Sequence, residues 1–372
     1  MSETKRQWGA NFSPAEIAAA KQRQGLLSLE LEFSRECNLR CVYCYANSGR
    51  KQHHELELCE IYQVLEQAIA LGARRIILLG GGEPLLYPHV FEIINFLHQR
   101  GIGIDLFTNG TLITREVANE LFRLGVAPVI KMNSRQEAVQ DQLAGVPGAF
   151  RAIQAGLAQL LAAGYPRADR PLGVETIICR QNLAELPEMW VWARDRQLVP
   201  YFEMITFQGR ARSHLNLNVC PAELQALFTR LSALDREHYG IEWEPQPPIA
   251  GLSCNRHEYS CVVNSRGLVQ PCTGVDVTLG NIRHAALSEI LQNSPLVDLF
   301  RNLRQHIKGA CATCERHPLC YGCRGLAYHV TGDFLAADPL CWRNPEHITD
   351  RKMSVPQQGA PSCPTTPPGR LA

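Results

Sequence analysis

No stretch of this chain is apolar for long enough to cross a bilayer, and neither sign of charge dominates: 37 basic residues stand against 36 acidic ones, a net charge of +1. The first absence excludes a membrane-spanning helix from the expected structure. The second removes long-range attraction to nucleic acid or to an anionic lipid surface, so recognition must be local. Residues 1–9 are polar and charged, with no apolar stretch and small-residue cleavage site behind them. That argues against a secretory signal, and the expected compartment is cytoplasmic. Internal repeats are lacking too. Hydrophobic residues fill 45% of the 372 positions, enough for a sizeable core and for two or three domains.

What the chain has in abundance is cysteine, 15 residues in all. Without an export signal that number favours metal binding over disulfides, because the cytosol keeps thiols reduced. Three of them sit on one short stretch, Glu36-Cys37-Asn38-Leu39-Arg40-Cys41-Val42-Tyr43-Cys44-Tyr45, directly after a strand-like run. The spacing Cys37-x3-Cys41-x2-Cys44 suits three corners of a cubane iron-sulfur cluster, whose fourth iron stays open to a non-protein ligand. Two readings compete: a zinc site, which usually takes four protein ligands in pairs, and a disulfide staple, which suits small secreted domains.

Ser13-Pro14-Ala15-Glu16 reads as a helix start, with Ser13 as cap and Glu16 reaching back, and the Ala-rich segment behind it ends near Gly25. Leu27, Leu29, Leu31 and Phe33 then alternate with other residues at the period of a strand, and this strand, 26–33, delivers the cysteine loop at its C-terminal end. Further patterns follow in turn: helices at 56–71, 88–99, 114–124, 150–163 and 183–196, strands at 75–79, 102–107, 128–132, 172–178 and 201–205. Six strands alternating with helices predict an α/β fold with a parallel sheet, right-handed crossovers and functional loops at the C-terminal strand ends.

The second strand runs into Leu79-Gly80-Gly81-Gly82-Glu83-Pro84, where glycines permit close backbone approach and Glu83 is aimed at the mouth of the sheet. The third ends in Thr108-Asn109-Gly110, the fourth in Asn133-Ser134 and the fifth near Asn182. Lys131 and Glu203, inside strand patterns, either point toward a substrate or form a purely structural ion pair. Gln208-Gly209-Arg210-Ala211-Arg212 offers guanidinium groups to a carboxylate or is a plain solvated connection. A helix at 222–239 and the break Pro245-Gln246-Pro247-Pro248 close this half of the chain.

Past the break the alternation stops and eight cysteines follow: Cys254, Cys261, Cys272, Cys311, Cys314, Cys320, Cys323 and Cys341, two full sets of four. Residues 262–271 read as a hairpin with Gly267 in its turn, delivering Cys272. Cys311-x2-Cys314 and Cys320-x2-Cys323 alone would also suit a zinc ribbon. From Arg351 onward the chain is rich in Pro, Gln, Ser, Thr and Gly, the composition of a disordered segment.

Cys37-x3-Cys41-x2-Cys44, with Tyr43 before the last cysteine, resembles the signature of the radical S-adenosylmethionine (radical SAM) enzymes. The resemblance implies a partial (β/α)6 barrel over about 26–206 and a [4Fe-4S] cluster on Cys37, Cys41 and Cys44. It implies S-adenosyl-L-methionine bound at the free iron and cleaved reductively to a 5'-deoxyadenosyl radical, which takes a hydrogen atom from the substrate. Gly81-Gly82-Glu83-Pro84 matches the family motif that contacts the cofactor's methionine amino group. Tyr43, Asn109 and Ser134 are the further cofactor-binding residues so implied, Ser134 toward the carboxylate.

The second field, Cys254-x12-Gly267-x4-Cys272, then Cys311-x2-Cys314-x5-Cys320-x2-Cys323, then Cys341, resembles the SPASM extension of many such enzymes, over about 251–343. It departs from the pattern in a gap of two, where three is usual, between Cys320 and Cys323. On that pattern Cys254, Cys261, Cys272 and Cys323 would hold one auxiliary [4Fe-4S] cluster and Cys311, Cys314, Cys320 and Cys341 the other. Three clusters in all would leave Cys59, Cys179, Cys220 and Cys363 as bystanders. SPASM sulfatase-maturing enzymes use an aspartate directly after the counterpart of Cys272 as a base; here Thr273 stands there, so that oxidation is not carried over.

The implied domains are an N-terminal helical segment at 1–25, the barrel at 26–245, the cysteine-rich SPASM domain at 246–345 and a disordered tail at 346–372. The implied function is an oxidoreductase that modifies a ribosomally made peptide, a maturase. Ahead of residue 26 there is no room for a winged-helix module, so either the substrate is small or a separate leader-binding protein would present the peptide. A low-potential donor such as flavodoxin or ferredoxin would supply electrons. A tetrapyrrole or aminocyclitol substrate is the alternative, and a non-catalytic zinc-ribbon interaction protein the lesser one. Neither nucleic acid nor membrane is an expected partner.

Overall fold

A computed structural model describes residues 12–344; the expected tail, with Cys363, and residues 1–11 lie outside the described residues. Helix α1 (Pro14–Gln22) opens with the expected capping box, the Ser13 hydroxyl accepting from the Glu16 N–H at 3.3 Å and the Glu16 carboxylate accepting from the Ser13 N–H at 2.7 Å. Six parallel strands then stand side by side in chain order: β1 (Ser28–Ser34), β2 (Arg75–Gly81), β3 (Gly103–Thr108), β4 (Ala127–Lys131), β5 (Gly173–Ile178) and β6 (Val199–Met204). Helices α2 (Leu58–Ala70), α3 (Val90–Gln99), α4 (Arg115–Arg123), α5 (Glu137–Ala144), α6 (Ala149–Ala162) and α7 (Leu186–Asp195) return the chain between strands. This is an α/β fold with an unclosed parallel barrel, as expected.

The strands are buried on both faces, and alternation sorts their side chains. Leu29, Leu31 and Phe33 of β1 and Ile76 and Leu78 of β2 pack outward into one apolar core with Ile61, Val64, Leu65, Ile93 and Ile94 of the helices. Glu30 and Ile77, in register with each other, face inward. Helix α8 (Pro221–Tyr239) is tied to α7 by Asp235, fully buried, whose carboxylate accepts from Trp190 Nε1 at 2.7 Å, Trp243 Nε1 at 2.8 Å and both Nε and Nη2 of Arg194.

The Pro-rich break separates two halves in sequence but not in the sheet. Strand β7 (Ser260–Val263) adds in parallel to the free side of β1, and β8 (Leu268–Gln270) and β9 (Gly280–Asn281) follow antiparallel, giving the order β6-β5-β4-β3-β2-β1-β7-β8-β9. Gly267 takes the hairpin turn at a φ of 79°, which a side chain would strain. At the opposite end the Met204 N–H donates to Pro248 O and the Ala250 N–H to Phe202 O, both at 2.9 Å, so a passing segment covers the β6 edge. Helices α9 (Leu287–Asn293), α10 (Pro295–Arg301) and α11 (Arg324–Thr331) complete the second half. Among the described residues no helix is long and apolar enough to cross a membrane.

Candidate active site

The cysteine loop leaves β1 and is held from three sides. Helix α5 takes its backbone: the Arg40 N–H donates to Ala144 O at 2.9 Å and the Val42 N–H to Leu143 O at 3.0 Å. The loop after β6 takes its carbonyls, with the Arg210 N–H on Cys44 O at 2.9 Å and the Arg210 guanidinium on Cys41 O at 2.8 Å and on Ser48 O. Gly209 is obligatory there, since a Cβ would lie 2.2 Å from Tyr45 O. Arg210 thus serves the protein's own carbonyls and is not the free carboxylate clamp the sequence allowed for, and Arg212, exposed, lies 3.0 Å from His329 Nδ1.

On the third side, the glycine run after β2 explains itself through the same loop. The Gly82 N–H donates to Ser34 O and the Glu83 N–H to Glu36 O, each at 2.8 Å, so the two strand ends zip onward past the last ladder pair. A Cβ on Gly82 would sit 1.8 Å from Glu36 O, the carbonyl just before Cys37. Glu83 is buried, and its carboxylate accepts from Thr108 Oγ1 at 2.7 Å, the Asn109 N–H at 2.7 Å and the Leu85 N–H at 3.1 Å. Burial pushes its pKa up while these donors pull it back. Asn109 Nδ2 in turn donates to Asn38 Oδ1 at 2.8 Å, joining β3 to the cysteine loop.

Cys37, Cys41, Tyr43, Cys44, Gly81, Gly82, Glu83 and Asn109 all line one cavity at the C-terminal mouth of the barrel. Two expected cofactor residues do not. Pro84 turns away to start a short 3-10 helix. Ser134 is fully buried with its hydroxyl accepting from the Gln136 N–H at 2.9 Å, a local turn that keeps it behind the wall. Cys59 is exposed, Cys179 buried and Cys220 half-buried, all apart from the cavity.

Sequence reasoning missed Glu30, Glu175 and Arg256, which also line the cavity. The signal for Glu30 was present in the alternation of β1, whose non-leucine face must go somewhere. Arg256 Nη1 pairs with Glu30 at 2.6 Å and its Nη2 donates to Tyr201 Oη at 3.1 Å. Lys131 Nζ lies 2.7 Å from Glu175 Oε1, its register partner on β5. Glu203 hydrogen-bonds Glu175, and burial together with that neighbouring carboxylate pushes its pKa up to about 8. Leu79, Phe107, Ile177, Tyr201 and Ile205 supply the rest of a mostly apolar wall.

The C-terminal thiols fall into two groups. Cys272 feels the charges of Cys254 and Cys323, and Cys323 that of Cys254, beyond the dominant effect of burial. Cys311 is likewise coupled to Cys314, Cys320 to Cys311, and Cys341 to Cys311 and Cys320. Backbone N–H groups point at the sulfurs: Asp338 at Cys311 (3.3 Å), Gly322 at Cys320 (3.2 Å) and Leu326 at Cys323 (3.4 Å). Cys261 was expected in the first group. It lies inside β7 with 2% of its surface exposed, in the apolar core behind the sheet.

Residues 31–188 match the radical SAM superfamily and residues 254–315 the iron-sulfur cluster-binding domain SPASM. An AdoMet-dependent heme synthase of Methanosarcina barkeri is 31% identical across 84% of this chain and 95% of its own length. The chain belongs to the radical SAM superfamily. A PqqA peptide cyclase of Gluconobacter oxydans is 27% identical across 86% of this chain and 92% of its own. Among solved structures, Streptococcus suis SuiB bound to S-adenosylmethionine shares the fold, with a TM-score of 0.65 at 17% identity over 87% of this chain and 80% of that one.

The donor set of this radical SAM/SPASM enzyme fits iron-sulfur clusters. Burial pushes the Cys41 thiol up to about 12 and Cys37 upward as well, so these thiols ionise only against a strong local cation such as iron. The site then supports the thiolate: the neighbouring Tyr43 hydroxyl draws the Cys41 pKa back down, and the N–H groups of Leu39 and Ser48 point at Cys37 and Cys44, both at 3.4 Å.

Proposed function

We propose that this chain is a radical SAM/SPASM oxidoreductase that modifies a tetrapyrrole side chain on a heme-forming route. The observation that carries the reading is the likeness to the heme synthase of M. barkeri, which runs through the barrel and the cysteine-rich half alike and spans nearly all of that relative. The cavity suits such a substrate. Its wall of Leu79, Phe107, Ile177, Tyr201 and Ile205 offers apolar and aromatic faces to a flat macrocycle. Lys131, held by the half-buried Glu175, and Arg256, held by the buried Glu30, are positioned to exchange or share that partner with an acidic side chain of the substrate.

Cys37, Cys41 and Cys44 hold the reducing cluster, which with bound S-adenosyl-L-methionine supplies a 5'-deoxyadenosyl radical. Gly81, Gly82 and Glu83 fix the approach of the cofactor by locking the loop to the β2 end, and Asn109 braces that lock. The two C-terminal thiol groups hold auxiliary clusters, three clusters in all, and a low-potential donor of the flavodoxin or ferredoxin class reduces the enzyme. Peptide modification is the second reading, favoured by the likeness to the PqqA peptide cyclase; a leader-binding partner would belong to it.

The test is anaerobic incubation of the reduced, reconstituted enzyme with S-adenosyl-L-methionine and an iron porphyrin carrying propionate side chains. Release of 5'-deoxyadenosine coupled to a mass change of the macrocycle is expected, and Cys41→Ala should abolish both. An unaltered macrocycle, with a mass change instead in a co-produced short peptide, would overturn the tetrapyrrole reading in favour of the second.

A further inference from the structure

Cys261 stands in β7 opposite Leu29 of β1. Paired residues on neighbouring strands point to the same face of a sheet. Cys261 and Val263 therefore share the face of Leu29 and Leu31, packed beneath the helices, and all four belong to the same core. Val262 pairs with Glu30 and shares the inward face, the side on which Arg256, Thr273 and Gly274 line the cavity. The Cys261 sulfur is thus behind the sheet, near the Arg301 guanidinium that donates to Gly25 O at 2.7 Å. Only a one-residue slip of β7 would bring it through, and that slip would turn Val262 and its neighbours to the wrong faces as well.

We propose that the auxiliary cluster next to the barrel is held by three thiolates, Cys254, Cys272 and Cys323, with Cys261 excluded, so that its fourth iron takes a donor other than cysteine from the cavity side. Thr273 and Gly274, directly after Cys272, line the cavity, and a Cβ on Gly274 would stand in ordinary contact with Gly325 Cα at 3.4 Å, the Cys272 sulfur at 3.8 Å and Thr206 Oγ1 at 4.0 Å, so this cysteine stands beside the barrel mouth. The assignment rests on the reading of two auxiliary clusters above and is independent of which substrate the enzyme takes.

Iron and sulfide are counted in reconstituted Cys261→Val, which keeps an apolar side chain of similar size in the packed face, beside Cys254→Ala. The first should retain the wild-type iron content and electron paramagnetic resonance signals. The second should lose about 4 irons per chain, one cubane cluster. Equal loss from both overturns the proposal, while no loss from Cys254→Ala overturns the auxiliary-cluster reading and the proposal with it. If Cys261→Val does not fold, Mössbauer spectra of the unaltered holoenzyme decide. An iron lacking full sulfur coordination and indifferent to added S-adenosyl-L-methionine is expected; if the only such iron is the one that responds to the cofactor, Cys261 is a ligand after all.

Discussion

Single atoms decide how this site is held. Because a methyl group on Gly82 would overlap Glu36 O at 1.8 Å, Gly82→Ala must push the cysteine loop off the β2 end. The expected outcome is loss of about 4 irons per chain and of 5'-deoxyadenosine release, with the helical circular dichroism unchanged. Glu203 makes a second prediction, on pH. Its pKa is raised in the folded chain from 4.5 to about 8, first by burial and then by Glu175, so the folded state binds the extra proton between those values. Stability from this group is complete below the unfolded pKa and falls as pH rises through about 8. The loss begins at the unfolded pKa and is full above about 8, so Glu203→Gln, which cannot ionise, should match the wild type near pH 4 and unfold at higher urea than the wild type near pH 9.

At the level of elements, the joint between α7 and α8 depends on one carboxylate. Asp235 accepts from two indoles and a bidentate arginine with no exposure to solvent. Asp235→Ala strands the Arg194 charge in the interior and should cost about 3–5 kcal/mol in chemical denaturation. The tryptophans and the arginine are in the sequence, but nothing there says they converge, because the residues are as far apart as Trp190 and Trp243. The six barrel strands and their helices were legible, since each carries its own apolar period. Helix α5 was not: its eight residues carry only Val139 and Leu143 as large apolar side chains, and it exists as the shelf on which Arg40 and Val42 hang. Glu83, Asn109 and the loop cysteines were placed correctly in the cavity by strand-end position. Ser134 and Cys261 do not line it, because local turn geometry and strand register, which spacing does not encode, turn them to other faces.

For the whole molecule, the sheet that runs from β6 through β1 to β9 makes the two halves one structural body despite the prolines between them. A chain ending at residue 245 would bare the β1 side now paired from Ser28↔Ser260 to Leu31↔Val263. It should be recovered as aggregate, with the full chain recovered in solution, and in the full chain the β1 amides should exchange among the slowest.

The coverage of β6 by residues 248–250 has a consequence of its own. Many proteins seize an extended peptide by letting it lie as a guest strand along an open sheet margin. Here one margin is already taken by the chain itself, and at the other stands β9, only two residues long. A visiting peptide finds no rail there to templating length, so any polypeptide substrate would have to be gripped by its side chains at the cavity, whereas a compact ring-shaped molecule needs no such rail.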